Sequence, residues 1–297
     1  MNNFHLLTSI SLILLSLLVI VMAILGNLIQ LLIFPLDFLL PQYSYPVHVF
    51  IANSIWTILQ FGFERVNGIK ITTSGEKLPE NESAIVISNH LGAIDFLMIH
   101  FLARKSNMLG YCRYFIKYSA LWIPFFGIGM YLMRFIFLSR DWKKDEGNLQ
   151  KQFSALKELG APIWLILFLE GTRISPSKLK KSHDFSKANN LPILNNVLTP
   201  RTKGFVETIK GLRKSQIKYV YDLTIAVRHP VKGYGAVPPV AQVLLVGNHG
   251  YECHVHTEKF CIDELPLTDQ ELEKWAQDRF QLKDRFLEDL KLKWNKE

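Results

Sequence analysis

The run Asn89-His90-Leu91-Gly92-Ala93-Ile94-Asp95 places a histidine and a carboxylate five positions apart. A histidine beside a carboxylate is what general-base chemistry requires. The carboxylate fixes the imidazole tautomer and stabilises the imidazolium that forms. On one continuous helix the two side chains would diverge by roughly 140°. They meet only if His90 sits in a loop and Asp95 opens the next helix, with Gly92 giving the loop its freedom. Taken alone, the spacing is common by chance and reads first as a structural hydrogen bond. No serine occupies a G-x-S-x-G elbow, so His90 is read as activating an acceptor hydroxyl directly.

A second element is Phe168-Leu169-Glu170-Gly171-Thr172-Arg173. Gly171 lets backbone approach a ligand, Thr172 can donate to an oxygen, and Arg173 offers a planar fork to phosphate. Glu170 is suited to orient Arg173 or to hold a ligand hydroxyl.

Both elements need strands to carry them. Ala84–Ser88 and Ile163–Phe168 are short continuous apolar runs, the pattern of buried strands. Val66–Thr73 alternates like a strand, and Ser74–Asn81 reads as a turn. Tyr219–Val227 and Val240–Val246 complete the expected strands. Helices are expected over Asp95–Ala103, over Asn148–Leu159 with Gly160 as C-cap, and over Thr202–Arg213. Another is expected over Thr268–Leu290, where Thr268 and Glu271 form a capping box. Residues 173–190 read as a loop or short helix. Strands alternating with helices predict an α/β fold, a mostly parallel sheet flanked by helices. Such sheets place ligands at the carboxyl ends of their strands, where both elements lie.

Leu6–Leu40 is almost wholly apolar, with Asp37 its only formal charge. That exceeds the ~20 residues that span a bilayer. It predicts an N-terminal membrane-anchoring helical segment spanning about Leu6–Ile29, with a break near Gly26-Asn27 or Pro35 and a second shallow segment. No basic residue precedes the run, which favours a retained anchor over a cleaved signal peptide. The expected organisation is an anchor over 1–40, a connecting segment over 41–62 and a catalytic domain over 63–297. A second apolar stretch, Leu121–Leu138, carries Arg134 and is broken by Pro124, Gly127 and Gly129. It reads as a buried or interfacial segment with basic flanks toward headgroups; a second span is the alternative.

The 297 residues are 49% hydrophobic and 20% charged, which excludes extensive disorder. The formal net charge of +8 suits an anionic membrane or anionic substrates. No nucleic-acid recognition module appears. Three widely spaced cysteines, Cys112, Cys253 and Cys261, form no disulfide framework and fit a reducing compartment. His254 and His256 after Cys253 are read as a partly exposed strand, with metal chelation the alternative.

Together the two elements resemble the glycerolipid acyltransferase family, which contains the PlsC-like 1-acylglycerol-3-phosphate acyltransferases. Its first block, N-H-x-x-x-x-D, is matched by Asn89, His90 and Asp95. Its F-P-E-G-T-R block is matched by Phe168, Glu170, Gly171, Thr172 and Arg173, with Leu169 in place of proline. Pro124-Phe125-Phe126-Gly127 with Phe137 and Ser139-Arg140-Asp141-Trp142 is similar to its second block. Leu191–Leu194, Leu198–Phe205 and Tyr221–Thr224 resemble the animal lysophosphatidate acyltransferase branch numbered three to five.

The resemblance implies transfer from acyl-CoA to 1-acyl-sn-glycerol-3-phosphate, giving phosphatidate. It implies His90 as the base and Asp95 as its orienter. Arg140, Glu170, Gly171, Thr172 and Arg173 would hold the acceptor, with Arg201 and Lys203 as further contributors. No metal or prosthetic group is implied, and no obligate protein partner. The same blocks serve acyltransferases of lysophosphatidylinositol or lysocardiolipin; a non-catalytic lipid-binding protein is a further alternative. The expected location is the endoplasmic reticulum membrane in a eukaryote or the inner membrane in a bacterium. The catalytic domain would face the cytosol.

Overall fold

The computed structural model describes residues 3–139, 141–247 and 250–296. Its first helix, α1 (Asn3–Ile33), contains no proline, acid, Lys or Arg and runs unbroken. At 1.5 Å per residue it is about 46 Å long. Among the described residues it alone is long and apolar enough to cross a membrane, which makes it a candidate anchor. The expected break at Gly26-Asn27 is absent. Gly26 is instead a close packing point, since a Cβ there would lie 2.6 Å from Ile51 Cγ2. The chain turns at Pro35, followed by α2 (Leu36–Leu39) and α3 (Pro41–Phe61). The expected connecting segment is therefore mostly helix.

Helix α1 shows two faces. Leu12, Val19, Ala23 and Gln30 are buried, while Leu7, Leu14, Leu25 and Leu32 are exposed. Its inner face packs on α3 and on a π-helical turn at Gln242–Val246. Hydrogen bonds fix it near both ends: Ser9 Oγ donates to Val246 O at 3.0 Å and Asn27 Nδ2 to Phe125 O at 2.6 Å.

The sheet contains β1 (Lys70–Gly75), β2 (Ala84–Ser88), β3 (Cys112–Lys117), β4 (Ile136–Leu138), β5 (Trp164–Phe168), β6 (Tyr219–His229), β7 (Gly233–Tyr234) and β8 (Glu252–Cys261). The order is β1-β8-β6-β2-β5-β3-β4, with β7 hairpinned on β6. Strands β4, β3, β5, β2 and β6 are parallel; β8 runs antiparallel to β6, and β1 parallel to β8. The expected mostly parallel α/β sheet is present.

Two helical layers cover it. Helix α4 (Asp95–Lys105) with α1 and α3 packs on one face. On the other lie α6 (Trp142–Leu159), α8 (Thr202–Leu212) and α9 (Asp269–Trp294). In β2, Ala84 and Val86 join the first layer and Ile85 and Ile87 the second. A strand buried on both faces reads as a continuous apolar run, which is why β2 and β5 were legible. Helix α9 is fastened to β6 by Asp222, which pairs with Arg279 at 2.8 Å and with Lys283.

One expectation is overturned, and two open readings are decided. Val240–Val246 is not a strand: Gln242 N and Val243 N bond back to Pro239 O and the chain coils. Periodicity cannot separate a strand from a helical turn in so short an apolar run. The strand lies later, at β8, where His254 and His256 bond Thr72 and Ser74 of β1. Residues 121–138 form no span. They contain the end of a 3₁₀ turn (Tyr118–Trp122), α5 (Gly127–Leu132) and β4. Gly127 permits the tight turn, because a Cβ there would strike Leu121 O at 1.8 Å. Trp122, Ile123, Phe125, Ile128 and Tyr131 remain exposed beside α1. Residues 173–190 hold a full helix, α7 (Pro176–Ala188), opened by proline in its first turn.

Candidate active site

Strands β2 and β5 are central, adjacent and parallel, and Ser88 pairs with Phe168. The two sequence elements thus leave the carboxyl ends of neighbouring strands side by side. Asn89, fully buried, straps the first loop to β6: Ile225 N donates to its Oδ1 at 2.8 Å, and its Nδ2 to Ile225 O at 2.9 Å.

His90 lies in the loop and Asp95 opens α4, as the spacing requires. His90 Nδ1 lies 2.7 Å from Asp95 Oδ2. Leu91 N and Gly92 N donate to the same oxygen at 2.7 and 3.0 Å. With a carboxylate as partner, Nδ1 carries the proton and Nε2 is the basic nitrogen. Burial raises Asp95 above the usual carboxylate range, opposed by the His90 bond and charge and by the two amides. Three donors on one oxygen are the setting of a carboxylate anion. The imidazole is 21% exposed and the Asp95 side chain 0%, so the base faces outward and its orienter inward. Phe168 stacks on the imidazole at 4.2 Å with 19° between planes, fixing the ring from the β5 side.

Glu170 is bonded to two backbone amides rather than to Arg173. It is 2% exposed, and its oxygens accept from His90 N at 2.8 Å and Leu198 N at 3.1 Å. It ties the His90 loop to the segment preceding α8. Burial pushes its carboxyl up to about 8, against the pull of the two amides. Arg201 N donates to Leu169 O at 2.7 Å, and Ile174 N to His90 O at 2.9 Å, closing the same junction. Leu169, where the family block has proline, is buried in the core beside α6 and α8.

Gly171 adopts φ +64°, and a Cβ there would lie 3.1 Å from Arg201 Cδ. The structure thereby brings Arg201 against the Gly171-Thr172-Arg173 turn. Thr172 Oγ1 accepts from Lys178 Nζ at 2.5 Å, a neighbour the sequence did not single out. Lys203 is exposed on the first turn of α8, without a bond to the dyad among the described residues. Arg140 lies outside the described residues. Among those described, no carboxylate pairs with Arg173, Arg201 or Lys203. The result is an outward-facing base beside an unneutralised cationic rim, able to deprotonate a hydroxyl on an anionic molecule.

A family model described as acyltransferase matches residues 70–228, more than half the chain, and one described as acyltransferase C-terminus matches 243–293. The chain belongs to the acyltransferase family. Within that family it is 35% identical over 248 residues to a probable 1-acyl-sn-glycerol-3-phosphate acyltransferase 5 of Arabidopsis thaliana, covering 84% of this chain and 64% of that one. It is 29% identical over 242 residues to lysophosphatidylinositol acyltransferase 10 of Caenorhabditis elegans, covering 80% and 61%. The chain thus spans about three fifths of the length of these curated relatives. The crystal structure of the 1-acyl-sn-glycerophosphate (LPA) acyltransferase PlsC from Thermotoga maritima matches with TM-score 0.51 and 16% identity. That match covers 90% of this acyltransferase and 95% of the other chain, and it establishes the common fold.

Proposed function

We propose that this acyltransferase moves a fatty acyl group from acyl-CoA to the free hydroxyl of 1-acyl-sn-glycerol-3-phosphate, forming phosphatidate at a membrane. The observation that carries the proposal is the His90–Asp95 pair beside the cationic turn of Arg173 and Arg201. His90 Nε2 takes the hydroxyl proton as that oxygen attacks the thioester carbonyl. The new C–O bond forms, the C–S bond breaks, and the departing thiolate recovers the proton from the imidazolium. A thiol's pKa of about 8.5 makes it a good leaving group. Asp95 holds the tautomer and stabilises the imidazolium, while Arg173 and Arg201 receive the acceptor phosphate. Glu170 and Phe168 fix the positions of these groups. No metal or prosthetic group enters this scheme.

The relatives support this acceptor by name, but one of them is named for lysophosphatidylinositol. A lysophospholipid with a larger headgroup is the second reading. Helix α1 supports a membrane location, the endoplasmic reticulum if the source is eukaryotic, with the basic domain on the cytosolic side. The full chain in lipid nanodiscs, offered acyl-CoA and a panel of lysophospholipids, tests the proposal. Phosphatidate from the 1-acyl-sn-glycerol-3-phosphate acceptor is expected as the fastest product. Faster turnover of lysophosphatidylinositol would transfer the assignment to the second reading. No turnover of any lysophospholipid would reject both.

A further inference from the structure

Lys178 borders the site, and the proposed mechanism does not use it. The turn from Glu170 to Ile174 is clasped to His90 at both ends. Glu170 Oε1 accepts from His90 N at 2.8 Å, and Ile174 N donates to His90 O at 2.9 Å. Thr172 is the middle residue of that turn, and its hydroxyl accepts from Lys178 Nζ at 2.5 Å. Arg173 O lies 3.3 Å from the same nitrogen. Both partners are neutral oxygens, and among the described residues no carboxylate pairs with Lys178. Arg201 reaches the neighbouring residue: a Cβ on Gly171 would lie 3.1 Å from its Cδ and 3.7 Å from its Cζ. An ammonium and a guanidinium thus meet consecutive residues of one turn.

Helix α7 holds Lys178 there. Lys178, Ser182 and Ser186 are spaced by four and share a helix face. Ser182 Oγ and Ser186 Oγ lie 2.8 and 2.7 Å from Thr199 Oγ1, and Thr199 N donates to Ser182 Oγ at 2.8 Å. That face therefore rests on the segment leading to Arg201. Local helix energetics do not favour a lysine at this position. Lys178 stands in the first turn of α7, which holds no acid, and the helix dipole opposes a cation there. Residues 173–203 carry seven Lys or Arg and one acid, Asp184, against a net +8 for the whole chain. Most of the protein's excess charge is gathered in the segment that contains this turn.

We propose that Lys178 binds the acceptor phosphate beside Arg173 and Arg201, and that it selects a phosphate monoester over a phosphodiester. The inference rests on the proposed acceptor, 1-acyl-sn-glycerol-3-phosphate. A phosphate monoester carries about two negative charges near neutral pH. The diester of a larger headgroup carries a single charge and has one fewer free oxygen. A lysine ammonium is a compact point charge with three donors. Two point at Thr172 Oγ1 and Arg173 O, leaving the third for a phosphate oxygen. A third cation beside two arginines therefore favours the dianion more than the monoanion.

The test compares wild type with Lys178→Gln and Lys178→Arg, as full chains in nanodiscs with matched melting temperatures. Each is offered 1-acyl-sn-glycerol-3-phosphate and lysophosphatidylinositol, with acyl-CoA varied in turn. Lys178→Gln is expected to raise the KM for 1-acyl-sn-glycerol-3-phosphate roughly tenfold, the loss of one charge-assisted hydrogen bond. The preference for the monoester, as a ratio of kcat/KM values, is expected to fall several-fold, and the KM for acyl-CoA to stay unchanged. Lys178→Arg keeps the charge and is expected to retain most of the preference. Lys178→Met decides the matter should the glutamine variant fold poorly. An equal loss with both acceptors would show a merely structural lysine and overturn the inference. A rise in the acyl-CoA KM alone would assign the cation to the donor's phosphates and overturn it too. Absence of wild-type turnover of 1-acyl-sn-glycerol-3-phosphate would reject the proposed acceptor itself, and the inference with it.

Discussion

The Glu170 carboxyl group accepts from the backbone N–H of His90 at 2.8 Å, across 80 positions of sequence. Its second oxygen holds Leu198 N, so one buried side chain joins the β2 loop, the β5 loop and the approach to α8. A glutamate in this position works as a strut, and its removal acts on the site through the loops it ties.

Glu170→Gln is expected to lower kcat by one to two orders of magnitude while changing the KM for acceptor little. The amide nitrogen must face one of the two N–H donors, and an unmet buried group costs about 1–3 kcal/mol. A rise in acceptor KM at unchanged kcat would point to direct substrate contact instead.

The raised Glu170 carboxyl gives stability a sign. Its folded value of about 8 lies above the ordinary one near 4.5. The folded state therefore binds more protons between these values, and this contribution to stability is lost as pH rises through that window. Thermal melts of wild type against Glu170→Gln from pH 5 to 8 are expected to show the wild type losing more stability. Parallel slopes would contradict it.

His100 acts with the opposite sign. Its folded value of about 3 lies below the usual 6.5, so acidification protonates the unfolded chain first. At pH 5 that costs the fold about 2 kcal/mol. His100→Phe, which keeps an aromatic ring among Trp56, Phe96 and Tyr114, is expected to flatten the fall in melting temperature between pH 7 and 5. An unchanged fall would show that other groups dominate acid unfolding.

Gly171→Ala is expected to lose activity through two effects. The position has φ +64°, which costs a residue with a Cβ about 1 kcal/mol. The added methyl also meets Arg201 Cδ at 3.1 Å, displacing the guanidinium from the turn. Acceptor KM should rise more than acyl-CoA KM. Equal effects on both would argue against Arg201 as a phosphate contact.

The dyad was legible because its geometry is local: His90 and Asp95 lie five residues apart, after a strand whose two buried faces make it continuously apolar. Strand β5 was legible for the same reason. Strands β3 and β4 escaped because β4 is only three residues long and both border an irregular apolar stretch. The Glu170 strut and the Phe168 stack escaped for a different reason. Both are contacts between strand ends brought together by the register of β2 and β5, and no residue spacing encodes them. Gly26 read as a helix breaker, yet it is a packing point, because the neighbour that decides its role lies on another helix.

The most direct measurement is steady-state acyl transfer to 1-acyl-sn-glycerol-3-phosphate by wild type and His90→Ala, each as the full chain in nanodiscs with matched melting temperatures. Loss of kcat by about 10²–10⁴-fold is expected for removal of a general base. Turnover by the folded His90→Ala chain at the wild-type rate would contradict the assignment of His90 as the base.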